Sequence, residues 1–512
     1  MKDYSSNNKL LIKNTAFLYL RTVIIMIITL YSSRVILNGL GVEDFGTYNA
    51  VAGLVSMFGI LTASLSVAIS RYLTYELGKE GSNVDKLKVI FSISLEIQIL
   101  LGIIVLVLGE TVGLWFVNAK LNIPPERMVA ANWVWQGAIF SFILSLIRVP
   151  YNAVMIAHEH MNAYAVFSVV YAVLKLAICF IILIAPFDRL AFYAVLLTIV
   201  DALHLAMYFV YCKKHFKECS YQHTRERGLT REMFGFAGYS FMNNAANILN
   251  LQGVNVLINI FFGVTLNAAR SIATQVEGAI MQLVENVTFS INPQITKSYA
   301  AEDKSRTFSL VCKGTKYSYY LMLLFAVPVF LEADLLLKVW LKTVPDFTVV
   351  FLRLTLIGAL CKMLGNTGYT ACMATGNIKK YSIWITAVGI LVFPLTWIAY
   401  KLGAPVEYAY YAFIIIYLLV EVVRLILMKE MLDFPPMLFV KEVFVKILIV
   451  TPIVVVIPVG LHYFMDPGWM RFLVVLFTGI VTTVLGVYYI GLNKFEREYF
   501  FGLVKSKLIR NK

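Results

Sequence analysis

Apolar stretches long enough to cross a bilayer follow one another along almost the whole chain, separated by short polar connections. A hydrocarbon core takes roughly 20 apolar residues as one helix, and backbone that crosses it must satisfy its hydrogen bonds internally. Fourteen segments meet that length: 14–37, 45–70, 89–109, 129–154, 164–184, 191–211, 235–263, 271–295, 317–340, 348–375, 381–402, 408–428, 445–464 and 471–492. Lys and Arg crowd into every second connection, about three times as many on one side as on the other, and such enrichment marks the cytoplasmic side. The pattern predicts a multi-pass protein of the bacterial inner membrane with both termini in the cytoplasm. The basic start runs into the first apolar segment without an A-x-A cleavage site, so it is expected to remain as the first span.

Composition narrows the class. A mean hydropathy of +0.77 and only 14% charged residues exclude an ordinary soluble domain. The net charge of +14 follows from the basic cytoplasmic connections and implies no nucleic-acid partner. Cys179, Cys361 and Cys372 fall inside spans, where a small apolar residue packs well. Cys212, His215, Cys219 and His223 share one connection, but their C-x2-H-x3-C-x3-H spacing lacks the paired knuckle of a zinc site. They read as part of a solvated basic loop, and no metal or other cofactor is expected.

The longest hydrophilic connection, 212–234, follows the sixth span and is rich in Lys, Arg and His. It suggests a six-helix lobe at 1–211, a basic inter-lobe loop at 212–234, a second six-helix lobe at 235–428, and an extra helix pair with a basic tail at 429–512. A short echo supports the division. Gly41-Val42 follows the first span and Gly263-Val264 the seventh, both on the outward side and both opening a polar connection. Internal repeats are frequent in transporters, whose substrate sites lie between them.

The opening of the chain carries a further cue. The basic start, Arg21 and Arg34 in the first span, and the run Leu40-Gly41-Val42-Glu43-Asp44-Phe45-Gly46-Thr47-Tyr48 resemble the start of Wzx-type polysaccharide-biosynthesis flippases. These belong to the multidrug/oligosaccharidyl-lipid/polysaccharide (MOP) exporter superfamily. The motif is confined to the first 75 or so residues, while length, helix count and two-lobe arrangement extend the resemblance over the chain. It implies two six-helix lobes around a central cavity, a C-terminal helix pair and alternating access. It also implies an undecaprenyl-pyrophosphate-linked oligosaccharide as passenger, moved from the inner to the outer leaflet.

Charges inside spans are costly and mark cavities, partners or snorkelling positions. Lys175 and Lys362 sit near mid-helix and Arg21 and Arg148 lie within reach of the inner third; these four are the candidate pyrophosphate ligands. Arg offers phosphate a bidentate fork and Lys a compact charge. Ion pairing within the bundle is the competing role. Arg34, Arg270 and Arg353 lie near outer helix ends; Arg424 is placed to snorkel or to pair with Glu421 at i−3. Asn243, Asn247 and Asn250 recur along one face of the seventh span, and Gln275, Gln282 and Asn286 along one face of the eighth. Their amides suit sugar hydroxyls or the lining of a cavity, and equally suit helix–helix hydrogen bonds. Glu96, Asp201 and Glu285 are candidates for ion coupling, to H+ or Na+, or for pairing with the buried cations.

Three classes compete. A lipid-linked oligosaccharide flippase accounts for the lobes, the buried cations and the amides together. A cation-coupled multidrug or small-molecule exporter of the same superfamily accounts for the architecture. A polymerase or glycosyltransferase would need catalytic residues in a sizeable outward loop, and every outward connection is short. No P-loop is present to power transport with ATP. A non-enzymatic flippase is the reading carried forward, with lipid-linked glycan and membrane lipids as partners, other polysaccharide-assembly proteins as further candidates, and the membrane potential as a source of drive.

Overall fold

A computed structural model describes residues 4–77, 83–158, 160–186, 188–222, 226, 228, 248–375, 378–493 and 496–498. Every regular element among these residues is helical. The chain divides into two compact units, Met1–Ser271 and Ile272–Lys512.

In the first unit the helices are α1 (Tyr4–Leu40), α2 (Val42–Ser56), α3 (Gly59–Leu77), α4 (Val84–Leu108), α5 (Leu114–Ala119), α6 (Met128–Ala157), α7 (Met161–Ile181), α8 (Arg189–His215) and α9 (Val254–Phe262). A π-helical turn, Gly109–Gly113, carries α4 into α5, and another, Leu249–Gly253, precedes α9. Helix α10 (Val264–Ala300) starts in this unit and continues into the second. There follow α11 (Lys304–Leu331), α12 (Ala333–Leu341), α13 (Thr348–Met363), α14 (Asn366–Ala374), α15 (Ile378–Gly389), α16 (Val392–Lys401), α17 (Tyr408–Leu432), α18 (Pro436–Phe439), α19 (Val445–Phe464) and α20 (Trp469–Gly486).

Eleven helical spans among the described residues are long and apolar enough to cross a membrane, which makes this a multi-pass membrane protein. They coincide with eleven of the fourteen expected spans. The remaining three fall outside this set for different reasons. The second is interrupted after Ser56, and the seventh is described only from its late turns, Leu249–Phe262. The eighth, in α10, is diluted by Asn, Gln, Glu and Arg. The helices are compatible with about fourteen crossings.

The Gly-Val echo has a conformational cause. Gly41 and Gly263 both take positive φ, 84° and 88°, and each turns one helix directly into the next. A side chain at either position would meet the left-handed steric penalty that glycine avoids. The corners belong to one packed region. Asn49 and Ser271, 222 residues apart like the two glycines, are joined by a hydrogen bond of 2.8 Å. Gly46 lets α2 approach the backbone of α10, since a Cβ built there would stand 1.9 Å from the Val264 carbonyl oxygen. Backbone cannot swing aside as a side-chain end can. Gly46→Ala is therefore expected to cost about 3 kcal/mol or more through forced helix separation. Yield and melting temperature of the purified variant check this; wild-type values for both would show that the two helices have room to part.

Three of the connections between helices are tied by charge. Arg127 bridges Asp44 at the start of α2 (2.6 Å from Nε) and Asp188 at the start of α8 (2.7 Å from Nη1). Asp188 also caps α8 by accepting from the Ala191 amide. Partial burial would raise its carboxyl pKa, but the Ala191 amide and the Arg127 guanidinium outweigh that and hold it below the usual range. Asp44 in the Gly-Val-Glu-Asp-Phe-Gly run thus has a structural task.

Candidate functional site

Four helices of the first unit, α1, α6, α7 and α8, carry three of the four cations singled out by sequence and the residues around them. Helical spacing decides which side chains share a face. On α7, Tyr164, Tyr171 and Lys175 lie at i, i+7 and i+11; on α8, Asp201, His204 and Tyr208 lie at i, i+3 and i+7. Helices α7 and α8 pack together with these faces in contact. The Tyr171 hydroxyl donates to Asp201 Oδ1 at 2.6 Å. Its ring stacks on His204 with centroids 4.2 Å apart and planes 14° from parallel. Tyr208 sets its edge against the same imidazole at 5.2 Å.

The cations rest on this aromatic frame. Lys175 Nζ stands 4.5 Å from the centre of the Tyr171 ring. Arg148, on α6, donates to His204 Nδ1, and its guanidinium carbon lies 5.9 Å from the centres of both Tyr171 and Tyr208. Arg21, on α1, sits over Tyr164 at 4.5 Å, with Nη2 3.5 Å from the hydroxyl. Tyr208 is within electrostatic reach of both Arg21 and Arg148. Cation–π contacts of this kind contribute about 0.5–2 kcal/mol each, rising with desolvation.

The hydrogen-bond roles are set by chemistry. A guanidinium only donates, so Nδ1 of His204 accepts and Nε2 carries the hydrogen of a neutral ring. His204 is 6% exposed, and that Nε2 has no partner among the described residues; nor does Nε of Arg21. Asp201 lies within electrostatic reach of Lys175, as does Arg148. Among the described residues, each cation nonetheless rests on an aromatic ring or an imidazole rather than on a carboxylate. The result is a cluster of three positive charges and one negative, with two N–H donors unspent. Such a cluster suits an oxyanion.

The other candidates are placed differently. Lys362 is on α13 in the second unit and is exposed. Asn243 and Asn247 lie outside the described residues. Asn250 is buried in the π-helical turn before α9. The later amides of the seventh span hold helices together: Asn255 Nδ2 reaches the Asn49 carbonyl at 3.3 Å, Asn267 donates to Asn255 at 2.8 Å, and Asn259 accepts from the Asn122 amide at 2.9 Å. Gln275 is half-buried on α10, with an Oε1 that has no partner among the described residues. Gln282 and Glu285 are exposed, and the side chain of Asn286 lies outside the described residues. Glu96 accepts from Tyr221 at 2.8 Å, tying the connection after α8 to α4. Of the three candidate acids, Asp201 stands among the cations.

One alternative is decided and one reading needs adjustment. Of its two expected roles Arg424 takes the ion pair: it pairs with Glu421, donates to Tyr381 at 2.9 Å, and is seated over Gly365 and Gly368. The connection after α8 is less solvated than its composition suggests. Cys212 and Cys219 are buried, His158 pairs with Glu218, and His215 stacks on Tyr211. Burial would raise the Glu218 carboxyl pKa, but the His158 contact and its own backbone amide bring it below the usual range. His223 lies outside the described residues.

Sequence reasoning passed over His204 and the tyrosines that frame the cations. The available signal was the shared face of Tyr164, Tyr171 and Lys175, and the i, i+3, i+7 run from Asp201. It also passed over the buried partners of Glu332 and Lys316, which lie far apart in sequence.

The architecture is that of known membrane transporters. The chain is similar to the lipid II flippase MurJ in an inward closed conformation, with a TM-score of 0.70 and 12% identity over 93% of this chain and 98% of that one. It is similar to an inward-facing multidrug resistance MATE family transporter of the MOP superfamily, with a TM-score of 0.64 and 14% identity over 81% of this chain and 98% of that one. The MATE multidrug transporter DinF-BH gives a TM-score of 0.60 and 15% identity over 83% of this chain and 97% of that one. These likenesses show that the chain shares the all-helical fold of those proteins. No protein-family model and no curated protein matches the sequence.

Proposed function

We propose that this chain is a flippase for an undecaprenyl-pyrophosphate-linked oligosaccharide, an O-antigen or capsule repeat unit, moving it from the inner to the outer leaflet by alternating access. The observation that carries this reading is the Arg21–Arg148–Lys175 cluster, whose charges rest on aromatic rings and outnumber the one carboxylate among them. A pyrophosphate headgroup leaving water needs compensating charge of this sign. The likeness to a protein named as a lipid II flippase agrees with a lipid passenger. The mechanism uses two lobes, 1–211 and 235–428, with 429–512 as an added helix pair. Lys362 is kept as a further candidate for headgroup binding, and Asn243, Asn247, Asn250, Gln275, Gln282 and Asn286 as candidates for sugar binding. The protein sits in the inner membrane with both termini cytoplasmic.

The likeness to MATE transporters supports a second reading, a cation-coupled exporter, for which Asp201, Glu96 or Glu285 would bind the ion. A surplus of positive charge opposes a cationic passenger. Complementation of a bacterial strain lacking its own flippase separates the two. The wild-type chain is expected to restore export of lipid-linked glycan. Arg21→Ala, Arg148→Ala, Lys175→Ala and Lys362→Ala, at matched membrane abundance, should each lower export about 10–100-fold, the worth of one charge-assisted contact. Drug efflux without glycan export in any background would establish the exporter instead.

A further inference from the structure

Asp201 is the one candidate acid placed among three cations, and it is held there firmly. Its Oδ1 accepts from the Tyr171 hydroxyl at 2.6 Å, while the same tyrosine carries Lys175 on its face at 4.5 Å and stacks on His204 at 4.2 Å. Moving the carboxylate would disturb the contacts of Lys175 and, through His204, of Arg148. The carboxylate is thus a fixed part of the cluster. With Arg21, Arg148 and Lys175 counted as charged and His204 as neutral, it leaves a surplus of two positive charges. The buried Nε2 of His204 and the Nε of Arg21, both without partners among the described residues, are donors that a bound oxyanion would satisfy.

We propose that Asp201 is the specificity-determining residue of this site, fixing its surplus at two charges so that it selects a pyrophosphate esterified at both ends over one with a free terminal phosphate. The inference rests on the pyrophosphate reading above. A pyrophosphate bridging lipid and sugar carries one negative charge on each phosphorus. Freed of its sugar, the terminal phosphate has a second ionisation near pH 6 and is largely a dianion at neutral pH. The added charge meets the Asp201 carboxylate with no further cation to offset it. At an effective dielectric between that of a protein surface and that of water, the repulsion amounts to about tenfold in affinity. A flippase with this filter would carry the sugar-bearing lipid and leave the sugar-free lipid pyrophosphate behind.

The test compares two probes, a short-chain polyprenyl pyrophosphate and its glucosyl diester, binding to the purified full-length chain in nanodiscs. Wild type is expected to prefer the diester. Asp201→Asn should shift the ratio of the two dissociation constants about tenfold towards the free pyrophosphate, and Asp201→Glu should restore the wild-type ratio. High salt should shrink the difference. Asp201→Ser is a second neutral variant should Asn fail to fold. An unchanged ratio in the neutral variants, with both probes still bound by wild type, overturns the inference and leaves the pyrophosphate site standing. Failure of wild type to bind either probe removes the pyrophosphate reading, and the inference falls with it.

Discussion

Replacing Glu332 with alanine is expected to destabilise the second unit by about 3–5 kcal/mol, the cost of stranding a buried charge. Glu332 caps the C-terminal end of α11 and is 1% exposed. One carboxylate oxygen stands 3.0 Å from Arg471 Nε and 2.7 Å from His462 Nδ1; the other accepts from Arg471 Nη2 at 3.1 Å. His462 ends α19 and Arg471 begins α20, so one acid at the end of α11 secures the turn that joins the last helix pair. Arg471 is itself 9% exposed and cannot shed its proton. Without Glu332 it must stay buried unpaired or pull its helix towards water. The opposite end of the pair has its own lock: Lys316 of α11, 1% exposed, stands 3.4 Å from Glu496 and 3.9 Å from Glu442, and Glu442 also takes Lys446 at 2.7 Å.

Two controls identify the cause. Glu332→Ala with Arg471→Ala should lose less than the sum of the single variants, because neither charge is then stranded. Limited proteolysis of Glu332→Ala should open first between α19 and α20, where the hold is lost. Melting of purified protein within about 0.5 kcal/mol of wild type would show that this triad does not anchor the pair.

What could be read from sequence follows from the reach of each interaction. Spans are local, since a run of apolar residues and the basic connection after it declare themselves within a few turns. Gly41 and Gly263 were visible as a repeated Gly-Val because the left-handed corner demands that residue type at both places. Glu421 and Arg424 were legible as a pair because three residues separate them on one helix. Glu332 and Arg471 are 139 residues apart, and nothing in either helix announces the other. The cation cluster falls between these cases. Depth within a span brought Arg21, Arg148 and Lys175 onto one list, but it also listed Lys362, which lies in the other unit. Periodicity names a face and not what lies across from it, so nothing in the sequence singled out His204. The same ambiguity held for the amides of the seventh span: Asn255 and Asn259 are spent on backbone and amide groups of neighbouring segments.

If the chain is the flippase proposed above, collapsing the membrane potential is expected to slow repeated export strongly while leaving the first outward transfer of bound lipid nearly unchanged. A pyrophosphate diester takes about two negative charges outward down an inside-negative potential, which at about 2.3 kcal/mol per charge per 100 mV yields roughly 4–5 kcal/mol. That drive corresponds to a change of about a thousandfold in the equilibrium distribution across the membrane. Where in the cycle the voltage acts depends on the protein's own charges. Arg21, Arg148 and Lys175, offset by Asp201, leave two positive charges to meet two negative ones. The loaded site is then close to neutral and reorients with little regard to voltage. The empty site carries the surplus inward, and an inside-negative potential pulls it. Proteoliposomes with a potassium diffusion potential separate these steps, since a single turnover reads the loaded transfer and sustained turnover reads the return. Asp201→Asn leaves the loaded site with one positive charge and should make the single turnover slow under the same potential. A first transfer as voltage-sensitive in the wild type as sustained export would mean that the passenger's charge crosses the field uncompensated, and that these cations do not travel with it.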